Sequence, residues 1–292
     1  MKIVTHSGSF HQDELFALAA LQMVYPDAEI IRTRDPEIIS KADIAVDIGG
    51  IYDPASNRFD HHQEGGAGRR GKNGMPYASF GLVWKKFGRQ ICDGRADIAD
   101  LVDRKMIQAI DAADNGVMVY APVNREIQPY LFDNFLNAIT PTWREGKSID
   151  DAFKQILSIV RLVLEKEIEK AKFFFEETEL VRQAYRESED KRIIVLDHPY
   201  PWKSVLTKYP EPLFVIYQDQ NTDEWVIMAV KKDPRAFIYR KLFPANWAGK
   251  IGKPLADEIG IPDAVFCHNK RFIAKAWSKE SAIKMAKIGL NT

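Results

Sequence analysis

The sequence predicts an α/β protein: an N-terminal domain on a mainly parallel sheet, a helical connector, and a smaller C-terminal α/β domain. Three observations lead there. Short apolar runs that stop at polar residues alternate with amphipathic stretches through the first half of the chain, the pattern of strand–loop–helix units. A long charged stretch over residues 149–189 keeps helical spacing throughout. Past a charged break at Glu187 to Arg192, further strand-like runs close with a terminal helical run. With 292 residues the chain exceeds the usual single core, and the expected divisions are 1–145, 146–190 and 191–292.

Composition narrows the function classes. A hydrophobic fraction of 46% supplies ample core, and 41 basic residues balance 41 acidic ones. Zero net charge gives no general pull toward nucleic acid or membrane, so a polyanion needs a local patch. Cys92 and Cys267 are the only cysteines, which disfavours a disulfide framework and fits a reducing compartment. No apolar run approaches the roughly 18 residues of a membrane span. The N-terminus enters a strand pattern at once, unlike a signal peptide. The expectation is a soluble, cytoplasmic protein with no membrane partner, and a homo-oligomer stays open.

Taken in order, Lys2 to Thr5 read as a buried strand ending at His6. A polar loop carrying His11 follows, and Asp13-Glu14 open an amphipathic helix whose apolar face is Leu15, Phe16, Leu18, Ala19 and Met23. Open α/β sheets bind ligands at the carboxyl ends of their strands, where His6, His11 and Asp13 would meet. The plainer alternative makes Asp13 a helix cap and the histidines solvated. Glu29 to Thr33 read as a second strand, and Pro36 starts a short helix ending near Ala42. A third strand, within Asp43 to Gly50, ends at Asp47 just before two glycines.

Turn-forming residues 53–57 then lead into Asp60-His61-His62. On an extended segment Asp60 and His62 share one side and His61 faces the other, so a histidine that faces a metal leaves its neighbour free. A hydrogen-bonded surface pair is the alternative. Arg69, Arg70 and Lys72 lie among glycines between Gly65 and Gly74, the composition of a mobile basic loop, either solvated or closing on phosphate. Residues 76–87 and 95–113 read as helices, the second ending at Asp111-Ala-Ala-Asp114-Asn-Gly. Two acids on one face at a helix C-terminus oppose the macrodipole, a disfavour that a cation or solvent offsets. Residues 124–139 are expected to be partly helical, with a break at Pro129. Near the C-terminus, basic residues from Lys270 to Lys287 face one acid, Glu280, the clearest local patch for a phosphate backbone.

The ordered set His6, His11-x-Asp13, Asp47, Asp60-His61-His62 and the Asp111/Asp114 pair resembles the DHH phosphoesterase superfamily, which includes exonucleases, nanoRNA phosphodiesterases and family II pyrophosphatases. More closely, the runs from Thr5 to Glu14, Arg32 to Asp35, Val46 to Gly50, Phe59 to Gln63, Ala109 to Gly116, and Pro201-Trp202-Lys203 resemble the melanocyte-proliferating-gene exonuclease family, UPF0160. The segment Phe266 to Ile273 is similar to that family's last motif and departs from it at Ala274-Lys275-Ala276.

The resemblance implies a metal-dependent phosphoesterase, a 3′-to-5′ exonuclease on RNA or short oligonucleotides. Two manganese or magnesium ions would activate a shared water for attack on phosphorus. Imidazole and carboxylate ligands suit those ions better than thiolate metals. His6, His11 and Asp47 would hold one ion; Asp13, Asp47, His61 and a helix-end acid, taken as Asp111 over Asp114, would hold the other. Asp47 is the bridge. His62 would contact phosphate and Asp60 would orient the imidazole beside it. Arg69, Arg70, Lys203, His268, Lys270 and Arg271 are the expected substrate-binding residues. A small-molecule phosphohydrolase acting on pyrophosphate or a nucleoside bisphosphate is the enzyme alternative, and a non-catalytic metal- or nucleic-acid-binding protein the alternative outside enzymes.

Overall fold

A computed structural model gives the fold and describes all residues except 122, 125, 234–236 and 292. The chain divides into two compact units, Met1–Lys172 and Phe173–Thr292. The first contains β1 (Lys2–Thr5), α1 (Gln12–Val24), β2 (Glu29–Arg32), α2 (Pro36–Ser40), β3 (Ile44–Val46), β4 (Tyr52–Asp53) and β5 (Arg58–Phe59). It continues with α3 (Ser79–Ile91), α4 (Ala96–Val102), α5 (Gln108–Asp114), α6 (Phe132–Ile139) and the start of α7 (Ile149–Glu187). Its five-stranded sheet runs in the order β2-β1-β3-β5-β4 and is parallel except for the last pair.

That order has a consequence for function. From β1 the chain goes to β2 on one side and then returns to β3 on the other. The carboxyl ends of β1 and β3 therefore flank the topological switch point, the crevice where open α/β sheets hold ligands. The strands between are buried on both faces: Ile3, Val4, Ile44, Ala45, Val46 and Phe59 have no exposure. Such strands read as short apolar runs, which is why the sequence revealed them.

Three elements differ from the sequence expectation. β4 and β5 form a two-residue antiparallel pair around the turn at 53–57, too short for a periodicity signal. The helix expected over 95–113 is α4 and α5 joined through a π turn, Asp103–Ile107. Only Phe132–Ile139 of the expected 124–139 helix forms, and Arg125 lies outside the described residues. Residues 149–187 form one helix, α7, 39 residues long, and the division between the two compact units falls inside it.

The second unit completes α7 and adds β6 (Ile193–Val195), α8 (Lys203–Leu206), β7 (Phe214–Gln218), β8 (Trp225–Ala229), α9 (Lys253–Ile259), β9 (Ala264–Cys267), β10 (Ile273–Ala276) and α10 (Lys279–Leu290). Its sheet order is β6-β7-β8-β10-β9, with only β6 and β7 parallel. Phe214, Phe243 and Trp247 stack in series within its core. Among the described residues no helix is long and apolar enough to cross a membrane.

Candidate metal centre

The site is built from five segment ends. His6 follows β1, Asp47 follows β3, and Asp60-His61-His62 follow β5. His11 precedes α1, whose first turn carries Asp13 and Glu14, and Asp114 ends α5. The N-terminal end of α1 favours carboxylates through its dipole and unpaired amides. Accordingly the backbone N–H of His11 donates to Glu14 Oε2 at 2.8 Å. Asp47 has a φ of 56°, a left-handed conformation that aspartate tolerates better than most residues. Gly49 and Gly50, at φ 97° and 66°, continue the turn. The strand end thus bends sharply enough to aim the Asp47 carboxylate across the sheet edge.

Asp47 stands between two imidazoles. Its Oδ2 lies 3.3 Å from His6 Nε2, and its Oδ1 lies 3.5 Å from His61 Nε2. Glu14 Oε1 is 3.2 Å from the same nitrogen of His6. At His61 Nε2, Asp114 Oδ2 approaches to 2.9 Å and Asp13 Oδ2 to 3.9 Å. Two convergence points therefore share one carboxylate. Ser79, at the start of α3, donates its hydroxyl to Asp47 Oδ1 at 2.9 Å and its backbone N–H to Asp13 Oδ2 at 3.3 Å.

Asp60 supports its neighbours. It accepts from the Gly50 backbone N–H at 2.5 Å and from the His62 backbone N–H at 3.1 Å, and its Oδ1 lies 2.8 Å from His62 Nδ1. The imidazole it orients is therefore that of His62, which is exposed while Asp60 is buried. His62 Nδ1 also stands 3.5 Å from Asp47 Oδ1. The strict alternation expected of an extended segment does not apply here, since the chain leaves regular strand geometry after Phe59 and both rings reach toward Asp47.

Electrostatics at the cluster are lopsided. Burial works against charge on His6, but Asp47 and Glu14 outweigh it and push its pKa up to about 10. His61 is likewise pushed up to about 10 by Asp114 and Asp47 against its burial. Burial, then Asp47 and Asp114, hold Asp13 well above the usual carboxylate range, and burial raises Glu14 despite His6. Asp47 goes the other way: against its own burial, His6, His61 and Ser79 hold it low. Asp13 Oδ1 is buried and has no hydrogen-bond partner. Buried carboxylates in excess of fixed cations, with imidazoles gathered among them, fit a divalent cation of the manganese or magnesium type. Three groups have ligating atoms within 4.8 Å of one another: His6, His11, Glu14 and Asp47; Asp47, His61 and His62; and His11, Asp13 and Asp114.

Two expected site residues lie elsewhere. Asp111 is fully buried, accepts from the Gly81 backbone N–H at 3.0 Å, and pairs through Oδ2 with Arg70 Nη2 at 2.8 Å. The same guanidinium nitrogen reaches Asp103 Oδ1 at 2.7 Å. Burial raises Asp111 to about 7, with Arg70 pulling it down. The acid that meets His61 is instead Asp114, because the face of α5 that carries Asp111 turns toward α3 and Arg70. Arg70 is correspondingly no mobile phosphate clamp but a buried counterion, which also donates to the Pro76 carbonyl. Its loop is tied down by backbone bonds from Arg70 to Met75, Gly74 to Arg70 and Tyr77 to Gly68. Arg69 remains exposed, bonded to the Gly74 carbonyl.

Residues that the sequence reading left unassigned also enter the site. Glu14 was legible in principle, since three residues after His11 it falls in the same helix turn. Ser79 carried no signal beyond lying within the expected helix over 76–87. Arg32 and Arg34 brace the loop after His6 by donating to the carbonyls of Gly8 and Ser7. In the second unit, Lys203 begins α8 beside the Trp202 ring, and His268, Lys270 and Arg271 occupy the β9–β10 turn. There Lys270 N–H donates to His268 Nδ1 at 3.0 Å, Arg271 donates to the Phe243 carbonyl at 3.2 Å, and the His268 ring lies 4.6 Å from that of Phe272. Lys275 is neutralised by Glu224 and Asp219, which trims the basic patch expected from sequence.

A mostly parallel sheet that gathers imidazoles and carboxylates at its switch point defines an α/β protein with a candidate metal centre. The chain belongs to the uncharacterised protein family UPF0160, which it matches over residues 2–290. It is 32% identical to the MYG1 exonuclease of Mus musculus over 329 aligned positions, spanning 99% of this chain and 84% of the mouse protein. Against the MYG1 exonuclease of Homo sapiens the identity is 31%, spanning 99% and 85%. The MYG1 protein of Dictyostelium discoideum is 31% identical, spanning 100% and 97%.

Proposed function

We propose that this protein is a metal-dependent phosphodiester hydrolase, a 3′-to-5′ exonuclease acting on RNA or short oligonucleotides. The observation that carries the reading is the division of Asp47 between two imidazoles, one oxygen facing His6 and the other His61. A carboxylate so placed suits a pair of ions, and the exonuclease names of the mammalian relatives supply the substrate class. His6, His11 and Asp47, with Glu14 beside them, would hold one manganese or magnesium ion. Asp13, Asp47, His61 and Asp114 would hold the second. Such ions, when bound, lower the pKa of water and neutralise charge on phosphate oxygens.

The chain's own residues do the rest. Ser79 fixes the Asp47 and Asp13 carboxylates through its hydroxyl and amide, so neither has to reorganise as charge develops. Asp60 holds the His62 ring, whose exposed edge is free to donate to a phosphate oxygen. Arg69, Lys203, His268, Lys270 and Arg271 remain the proposed contacts to the substrate backbone.

The test offers purified protein end-labelled RNA, DNA, dinucleotides and pyrophosphate in parallel, with manganese and with chelator. Manganese-dependent shortening of RNA from its 3′ end is expected. Activity that survives exhaustive chelation, or cleavage of pyrophosphate alone, overturns the reading.

A further inference from the structure

A cavity of about 650 Å³ lies in the first unit beside the cluster, and nothing above uses it. Its walls include Phe16, Ala109, Ala113, Tyr120, Leu131 and Phe132. The volume falls in the usual range for small-molecule sites, as does an apolar lining with a few polar groups. Gln12 and Asp133 are two of those groups, and the Gln12 amide donates to Asp133 Oδ2 at 3.5 Å.

The cavity and the candidate centre share helix turns. Gln12 lines the cavity and its neighbour Asp13 faces His61; Ala113 lines the cavity and Asp114 faces His61. Burial raises Asp133 above the usual carboxylate range, with His11 acting against the rise and Asp114 adding to it. One wall is rich in aromatic rings, with Phe16 and Phe132 at 5.5 Å between centroids. From α5 the lining takes Ala109, Ile110 and Ala113, two of them small. Val117, Met118 and Tyr120 are exposed at 36%, 75% and 44% on the segment that follows α5, an arrangement that leaves apolar surface uncovered at the cavity's side.

We infer that this cavity is a nucleobase subsite: it takes the base of the nucleotide whose phosphate lies at the cluster. The inference rests on the hydrolase reading and adds to it. A base offers flat faces to aromatic rings regardless of sequence, while its sugar and phosphate stay toward the polar edge marked by Gln12, Asp13 and Asp114. An acyl chain would use the apolar wall but make no use of the Gln12–Asp133 pair. The subsite predicts a preference for nucleotides over phosphates that lack a base, with little discrimination among bases.

The experiment measures binding and hydrolysis separately on the full chain with manganese. Binding of adenosine and uridine monophosphates is compared with binding of ribose 5-phosphate by calorimetry. Both nucleotides are expected to bind about tenfold or more tightly than the sugar phosphate, within the range for stacking one base. Ala109→Trp, which fills the cavity from an exposed helix position, is expected to bring the three ligands to similar affinity. Tyr120→Ala, a substitution at a half-exposed side chain, is expected to lower the preference several-fold. Hydrolysis of a dinucleotide is compared with that of its analogue lacking the terminal base, with the same loss of preference in the variants. No preference in the parent, including no detectable binding of either class, overturns the subsite. So does a preference that both variants leave intact. A nucleotide preference without any phosphodiester hydrolysis upholds the subsite and removes the hydrolase reading.

Discussion

Asp111 and Asp114 stand three residues apart on α5, and the two surroundings could hardly differ more. Asp111 is sealed against Gly81 and carries its own cation, Arg70. Asp114 opens into a cluster where Asp13, Asp47 and Glu14 are met, among the described residues, by histidines rather than by a fixed cation. A buried carboxylate needs compensation. In the Arg70 pocket the chain supplies it permanently, and the result is structure. In the histidine cluster the compensating groups are titratable imidazoles, an arrangement that could hold a metal ion.

The comparison breaks first at Asp47. Asparagine keeps the size and tolerates the same left-handed backbone, but it is neutral and cannot bridge. Asp47→Asn is expected to lose at least one manganese per chain by elemental analysis and to lower turnover about a thousandfold or more. Retention of both ions and near-parental turnover would remove Asp47 from the centre.

Next in size is the Arg70 pocket. Arg70→Met leaves Asp111 buried without a cation and is expected to cost about 3–5 kcal/mol by denaturant unfolding, with manganese content unchanged. Asp114→Asn should do the reverse, weakening manganese binding while the metal-free protein unfolds almost as the parent does. If Asp111→Asn lost the ion and Asp114→Asn did not, the two assignments would have to be exchanged. Gly81 is a further probe of the same pocket: a Cβ there would stand 1.9 Å from Asp111 Oδ2 and 2.8 Å from Arg70 Nη2. Gly81→Ala is therefore expected to destabilise through that ion pair.

A third effect is set by pH. In the metal-free protein His6 and His61 titrate near 10 instead of the ordinary 6.5. Their pairing with carboxylates then stabilises the fold fully below about pH 6.5 and is lost as pH rises through about 10. Metal must displace those protons, so manganese affinity should climb with pH over the same window, about tenfold per unit for each proton released. Calorimetry in buffers of different ionisation enthalpy reads the released protons directly. Uptake with no proton release would mean the histidines are not ligands.

The smallest expected change lies in the second unit. Arg271→Ala should lower affinity for long oligonucleotides and reduce the salt slope by about one, while affecting dinucleotides little. Equal losses on both substrates would argue that the β9–β10 turn does not bind a strand.

Much of this was written locally in the chain. Buried parallel strands are apolar runs, so β1 and β3 and the polar residues that end them, His6 and Asp47, could be located from sequence. Helix entry at Asp13-Glu14 and the Asp60-His61-His62 triplet are equally local signals, and their order along the chain sufficed for the family resemblance. Helix faces and loop fates were not local. Which of Asp111 and Asp114 meets His61 depends on what packs against each, with Gly81, which has no side chain, and Arg70 taking Asp111. Arg70 looks like a flap residue in a glycine-rich loop until Asp103 and Asp111, from distant positions, bury it. Sequence determines which groups stand at element ends, because strand and helix periodicity act over a few residues. Only tertiary packing decides which of those groups are neutralised by the chain itself, because a charge is compensated by whatever lies across space from it.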